Sequence, residues 1–305
     1  MKKVIDIVRR ILEKEQIIYK NLKKSESGFS NLVYFIDEDY VVKILKTSRN
    51  KVNFMNEVGY YEHHGYDFIP KIHSVGDYKG SKYIILSKAQ GKALYQVWHK
   101  LSDQEREDVL RQIAHILKTV HKSQKHTFLD AQSIRDNLVA FWTKSFQDEI
   151  DVLRSKGYET RNLREYVLKR VPTVFEESRL GLVYNDAHFD NFLYDGRNVK
   201  LIDFDRILYT SIDYELLIIH TMVNNPKKFA SERVEEMVNM EDYTKVLPTL
   251  RKEYPELFEF TYLDERIYVY WFLYTLKNIH RFKLDHLVQD MLDDFEAKVA
   301  KHTFD

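Results

Sequence analysis

The stretch Tyr184-Asn185-Asp186-Ala187-His188-Phe189-Asp190-Asn191, closed a few residues later by Ile202-Asp203-Phe204-Asp205, decides how this chain is read. Val183 and Tyr184 end a short apolar run. Phe192-Leu193-Tyr194 and Val199-Lys200-Leu201-Ile202 are two further runs with strand-forming content, and Asp195-Gly196-Arg197-Asn198 supplies the turn between them. Residues 185 to 191 are therefore a polar loop held at both ends by strand, and the returning strand carries Asp203 back to where the loop began. Asp186, Asn191 and Asp203 can then converge. Carboxylate and amide oxygens are hard ligands that suit Mg²⁺ held together with substrate phosphates, and a carboxylate off the metal can receive a proton from an attacking hydroxyl. The simpler reading of the same residues is a surface hairpin with solvated acids.

An Asp, an Asn five residues on, and an apolar strand ending in Asp-Phe-Asp resemble the catalytic loop and metal-binding Asp of the kinase-like phosphotransferases, and within them the aminoglycoside phosphotransferase and choline kinase branch. The resemblance implies an α+β, bilobal protein-kinase-like fold. A small lobe with an antiparallel sheet would cover the nucleotide over residues 1–88, and a larger, mostly helical lobe for catalysis and acceptor binding would span residues 89–305. It further implies Asp186 as catalytic base, Asn191 and Asp203 as Mg²⁺ ligands, and ATP or GTP as co-substrate. His188 falls where that branch often has a histidine. Two departures stand out: Tyr184-Asn185 occupies the place where His-Gly is common, and Asp205 the place where a protein kinase has Gly. Neither removes a group the chemistry requires.

Upstream, Ser25-Glu26-Ser27-Gly28-Phe29-Ser30-Asn31 is a small-residue turn into Leu32-Val33-Tyr34-Phe35-Ile36. A second turn, Asp37-Glu38-Asp39, leads into Tyr40-Val41-Val42-Lys43-Ile44-Leu45. By resemblance, Ser27 and Gly28 would cover the phosphates and Lys43 would reach them, although a mid-strand lysine is more often merely exposed. Residues 51 to 64 carry a helical pattern with Phe54, Met55, Val58 and Tyr61 on one side. By resemblance Glu57 on that helix would be the ion-pair partner that orients Lys43, although Glu62 lies on the same helix and either could simply be a solvated acid. Residues 71 to 86 read as another hairpin. Ser87-Lys88-Ala89-Gln90-Gly91 breaks it, and in the family resembled the backbone of Ser87 and Ala89 would hydrogen-bond the adenine edge.

Downstream, Ser102 and Glu105 form a capping box for a long helix with an apolar stripe of Val109, Leu110, Ile113, Leu117 and Val120. Further helices are expected at about 131–156, 160–177 (with Pro172 kinking or shortening it), 212–223 and 263–295. Only Phe204 to Thr210 separate Asp203 from the next helix start at Ser211, where a protein kinase inserts a long activation loop. That shortness favours a small acceptor. Asp213 falls where the branch has an Asp that braces the catalytic loop, and equally suits the positive end of a helix. Candidate acceptor-binding residues are Asp190, Asp205, Glu215, Asp264, Glu265 and Trp271, with Tyr268. Carboxylates and aromatic faces attract ammonium groups, which favours a cationic amino-sugar or amino-alcohol.

Lys plus Arg equals Asp plus Glu at 47 each, so the chain lacks the basic footprint of a nucleic-acid or anionic-membrane binder. It has no cysteine, which removes thiolate chemistry and suits a reducing cytoplasm. Residues 1 to 20 read as an amphipathic helix, not a signal peptide. The longest apolar run, Ile267 to Leu276, is too short to cross a bilayer and reads as a core helix. The function expected is Mg²⁺-dependent transfer of a nucleotide γ-phosphoryl group to a small-molecule hydroxyl. The alternative is a catalytically silent, kinase-shaped module that binds a nucleotide or metabolite.

Overall fold

The computed structural model describes residues 2–25, 31–47, 50–125, 135–229, 234–301 and 304. The expected phosphate-covering residues Ser27 and Gly28 lie outside them. Helix α1 (Lys2–Lys14) buries Val8, Ile11 and Leu12 completely, as its amphipathic spacing predicts. Their partner is a five-stranded antiparallel sheet of β1 (Leu22–Lys24), β2 (Asn31–Ile36), β3 (Tyr40–Leu45), β4 (Ile72–Tyr78) and β5 (Ser81–Ser87), in the order β1-β2-β3-β5-β4. Val42 and Ile44 face α1 together with Tyr83 and Ile85. Strand alternation therefore turns Lys43, paired in register with Ile84, to the opposite face. That face is covered by α2 (Lys51–His63), whose Phe54, Val58 and Tyr61 share a core with Ile84 and Leu86.

Past Ser87 the chain leaves this sheet. Gly91 has φ +112°, and a Cβ there would lie 2.7 Å from the main-chain carbonyl carbon of Tyr194, so only glycine lets the backbone pass this closely. The next strand, β6 (Lys92–Ala93), is followed by α3 (Leu94–Val97) and α4 (Asp103–Lys122), which starts on the expected Ser102/Glu105 capping box. Helix α5 (Leu138–Ser155) is capped by Asn137, whose side chain accepts from the Ala140 amide. The stretch 160–177 is not one helix: α6 (Arg161–Lys169) ends and a single turn, α7 (Val171–Val174), begins around Pro172, which cannot donate to the preceding turn.

Strands β7 (Leu180–Val183), β8 (Phe192–Tyr194), β9 (Val199–Leu201) and β10 (Leu208–Ser211) carry the central loop. β6, β8 and β9 form one antiparallel sheet, and β7 pairs with β10 in another. The β7–β10 pair was not expected from the sequence, which suggested only a connection over 204–210. A 3-10 turn (Ile212–Glu215) leads into α8 (Leu216–Asn224), and α9 (Val246–Glu253) follows. The expected helix 263–295 is two: α10 (Leu263–Phe282) stops where Lys283 adopts φ +57°, and α11 (Val288–Lys301) resumes. The apolar run on α10 packs with α5, α6 and α11 in a second core. Among the described residues no helix is long and apolar enough to cross a membrane.

Candidate active site

The loop between β7 and β8 is held from below. Gly181 on β7 lets α4 approach so closely that a Cβ would lie 2.5 Å from the His121 carbonyl oxygen. This brings His121 beneath the loop, where its Nε2 is 3.2 Å from a carboxylate oxygen of Glu215. Glu215 is fully buried, and its two oxygens accept the amides of Tyr184 (2.8 Å) and Asn185 (3.0 Å). The Tyr184 hydroxyl reaches over to donate to the Ile202 carbonyl at 2.5 Å, tying the loop to the turn that carries Asp203. Tyrosine at this position, in place of His-Gly, thus makes a cross-link of its own. Asn185 (φ +60°) and Asp203 (φ +66°) both sit in the left-handed region, at a cost of roughly 1–3 kcal/mol each that the surrounding bonds must offset.

These constraints bring together most of the residues singled out in the sequence. Asn191 donates from its amide nitrogen to Asp186, at 3.0 Å to Oδ2 and 3.0 Å to the main-chain oxygen, and Ile202 donates back to the Asn191 carbonyl. His188 Nε2 lies 3.5 Å from Asp186 Oδ2. Lys43, nearly buried, places its ammonium 2.5 Å from Glu57 Oε1 and 2.9 Å from Asp203 Oδ1, so the small-lobe strand and the central loop meet at one cation. The Phe204 amide also donates to Glu57, and the Phe204 ring stacks on Tyr60 at 4.1 Å.

One ammonium thus faces two carboxylates in a buried space. Burial works against the charge on Lys43, but Asp203 and Glu57 outweigh it and hold its pKa well above the ordinary value. Glu57 has the opposite balance: burial, reinforced by Asp203 and Asp205, pushes it up to about 8 despite the pull of Lys43. Asp205 is raised to about 6 by burial and by Asp203. Burial would raise Asp186 as well, yet His188, Arg206 and Asn191 together keep it below its ordinary value, so it stands ionised at neutral pH.

The metal ligands expected from the sequence fit a cation held jointly with phosphates. Asp203 keeps a partly exposed side chain with one oxygen on Lys43, and Asn191, its side-chain nitrogen engaged by Asp186, has its side-chain oxygen Oδ1 left to offer. Among the described residues no group of three or more His, Asp or Glu converges on one point, so a divalent ion here would draw its remaining ligands from phosphate oxygens and water. Ser87 ends β5 and accepts the Lys71 amide through its hydroxyl, and Ala89 follows in the partly buried crossing segment.

The acceptor-binding expectation requires correction. Glu215 and Glu265 do not line a cleft. Glu215 braces the loop as described. Glu265 is buried among the Tyr166 hydroxyl (2.9 Å) and the Arg170 guanidinium. Tyr268 donates to Asp294 and packs in the second core, with Trp271 partly buried beside it. Asp264 is exposed in the first turn of α10. Asp190 is partly buried, and its charge acts on Tyr95 and Tyr243. Asp213, expected as a loop brace, is instead buried against Arg266, Ser211 and Tyr270. The bracing of the loop thus falls to Glu215, two residues beyond Asp213, and neither acid is open to an acceptor.

One site residue carries no signal in the sequence. Arg206 places Nη1 3.1 Å from Asp186 Oδ1, a direct ion pair with the expected base. A lone arginine after Asp203-Phe204-Asp205 belongs to no spacing rule, and only the fold reveals it.

With this geometry in view, the similarity to known proteins is informative. The phosphotransferase enzyme family model matches residues 21–247, and the chain belongs to that family. No protein of curated function matches it in sequence. The structure resembles the aminoglycoside phosphotransferase APH(2'')-IIa in its ternary complex with streptomycin and ATP, with a TM-score of 0.64 and 18% identity over 94% of this chain and 95% of that one. It is also similar to APH(2'')-Ib with ADP bound, at TM-score 0.66 and 18% identity over 94% and 95% of the two chains. A choline/ethanolamine kinase family protein from Mesorhizobium loti gives TM-score 0.56 and 15% identity over 97% and 93%. The fold is thus kinase-like, with an antiparallel sheet in the N-terminal part and a helical C-terminal part.

Proposed function

We propose that the protein is a small-molecule kinase that transfers the γ-phosphoryl group of ATP or GTP to a hydroxyl, with Asp186 as catalytic base. The observation that carries this reading is the convergence of Lys43, Asp203, Asn191 and Asp186 from two separate parts of the chain through bonds of 2.9 to 3.0 Å. Phosphoryl transfer asks a protein mainly for positioning and charge neutralisation. Lys43 would hold the nucleotide phosphates, oriented by Glu57. Asp203 and Asn191 would hold Mg²⁺, which would supply positive charge to offset that of the phosphates. The ionised Asp186 would orient the acceptor hydroxyl and take its proton as the oxygen–phosphorus bond forms and the bond to the departing nucleoside diphosphate breaks. Ser87 and Ala89 would border the base of the nucleotide, and Ser27 and Gly28 its phosphates. Of the acids that favoured a cationic acceptor, Asp190 and Asp264 keep accessible surface, while Asp205, Glu215 and Glu265 are buried within the fold.

The test is an ADP-release screen over hydroxyl compounds with ATP, and a matching GDP-release screen with GTP. Asp186→Asn should lower acceptor-dependent turnover about 10² to 10⁴-fold, the usual contribution of a positioned general base, with nucleotide affinity nearly unchanged. Turnover within a few-fold of the parent would remove Asp186 from that role.

A further inference from the structure

Asp186, the expected base, is not an open carboxylate. Asn191 Nδ2 donates to its Oδ2 at 3.0 Å, His188 Nε2 lies 3.5 Å from the same oxygen, and Arg206 Nη1 lies 3.1 Å from Oδ1. Both oxygens thus have a partner, and a side chain only 14% exposed has little room for another.

The three partners differ in how firmly they are held. Asn191 also donates to the Asp186 main-chain oxygen, its amide donates to the His188 carbonyl, and its own carbonyl accepts from Ile202, so it cannot leave without undoing the loop. His188 belongs to the loop itself, with its ring 5.7 Å from that of Phe229. Arg206 comes from outside the loop. It sits in a turn closed by the Ile207 amide on the Phe204 carbonyl at 3.2 Å, and the register of β7 with β10, Leu208 opposite Val183, brings that turn alongside the start of the loop. Its side chain is 45% exposed, and among the described residues Asp186 is the one carboxylate at ion-pair distance from it. An ion pair with a half-exposed member and no second anchor opens readily.

A general base must lie within hydrogen-bond reach of the proton it takes. The fold places a guanidinium on Oδ1, the oxygen that Asn191 and His188 leave free. Water brings no further contacts with which to displace that guanidinium. An acceptor does, because binding energy from its non-reacting parts can be spent at the reacting centre.

We propose that Arg206 guards Asp186 against water: it holds Oδ1 until an acceptor hydroxyl displaces it, and so suppresses hydrolysis of bound nucleotide while no acceptor is present. The proposal rests on the phosphotransferase reading of Asp186. In the suppressed reaction the oxygen of a water bonds to the γ-phosphorus as the bond from that phosphorus to the β,γ-bridging oxygen breaks. One water proton passes to Asp186 and the other stays on the phosphate, and the nucleoside diphosphate leaves with the electron pair. Arg206 is a positioning residue in this account, since it acts only through Asp186.

The test is phosphate release from ATP, and from GTP, with Mg²⁺ and no acceptor at saturating nucleotide. It compares the parent, Arg206→Met, Arg206→Gln, Arg206→Lys, Asp186→Asn and the double variant Arg206→Met with Asp186→Asn, and nucleotide binding is measured by calorimetry on the same samples. Arg206→Met and Arg206→Gln should each raise release about tenfold, a part of what a positioned base contributes. Arg206→Lys, which keeps a charge able to reach the carboxylate, should lie between them and the parent. The double variant should release phosphate no faster than Asp186→Asn. A side chain that only supported the fold would lower the rate when removed, so a gain that depends on Asp186 separates the two roles. The proposal is overturned if neither Arg206→Met nor Arg206→Gln releases phosphate faster than a parent that binds nucleotide, or if the gain survives in the double variant. A parent that binds neither ATP nor GTP would sink the phosphotransferase reading, and the guard with it.

Discussion

Arg266 is fully withdrawn from water and Arg135 only half so, and their surroundings differ in almost every respect. Arg266 on α10 is fully buried, and it donates to both carboxylate oxygens of Asp213, to the Ser211 hydroxyl and to the carbonyls of Val174 and Glu177. Phe175 and Phe260 lie under its plane, each 5.0 Å away. Arg135 has one aromatic face and no acceptor on its buried nitrogens. A cation that the fold itself requires is surrounded by acceptors the fold supplies. Lys43 stands between these cases, paired with two acids that come from separate parts of the chain.

The contrast can be broken most decisively at Arg266. Arg266→Met should lower folding stability by about 3–5 kcal/mol, because it strands Asp213 as an uncompensated buried charge. Urea denaturation would measure this, and a loss under about 1 kcal/mol would mean that Arg266 and Arg135 are not different in kind. Beside that expected loss, the melting temperature of Arg135→Met should equal or exceed that of the parent, because its buried nitrogens have no acceptor to lose, and a clear fall would erase the comparison.

A smaller effect concerns the intermediate case. Glu57 titrates at about 8 in the fold against 4.5 as a free group, so the native state holds a proton that the unfolded chain has released. Its contribution to stability is complete below about pH 4.5 and is lost as pH rises through 8, with a slope of at most about 1.4 kcal/mol per pH unit. Asp205 acts in the same direction, but only up to about pH 6. His220, lowered to about 4 by burial, acts in the opposite direction and only below 6.5. Melting temperatures between pH 6.5 and 8 should therefore fall more steeply for the parent than for Glu57→Gln. Parallel curves would mean that Glu57 is not a proton-holding acid.

What the sequence made legible follows from how each signal is encoded. Asp186, Asn191 and Asp203 lie on one hairpin, where turn residues and strand alternation determine which side chains can meet. Lys43 could be placed because alternation within β3 sends its neighbours Val42 and Ile44 to the α1 face. Asp213 and Glu215 could not be told apart, since residues two apart in a helical turn point in different directions and acidity alone does not say which of them faces the loop. Glu265 was misread for a related reason: it lies in the first turn of α10 next to the exposed Asp264, and only the packing of α6 buries it. Arg135 and Arg206 had no pattern to reveal them. Their meaning depends on which partners each one meets, and that is a property of the fold.

The most direct test of the nucleotide and metal site is a thermal-shift titration of parent and Asp203→Ala with ATP or GTP at rising Mg²⁺. Removing the carboxylate that would share the cation with the phosphates leaves their charge uncompensated. The predicted result is that Mg²⁺ increases nucleotide stabilisation in the parent and has no such effect in Asp203→Ala. Equal enhancement by Mg²⁺ in both proteins would contradict the assignment of Asp203 as a metal ligand, and with it the proposed centre.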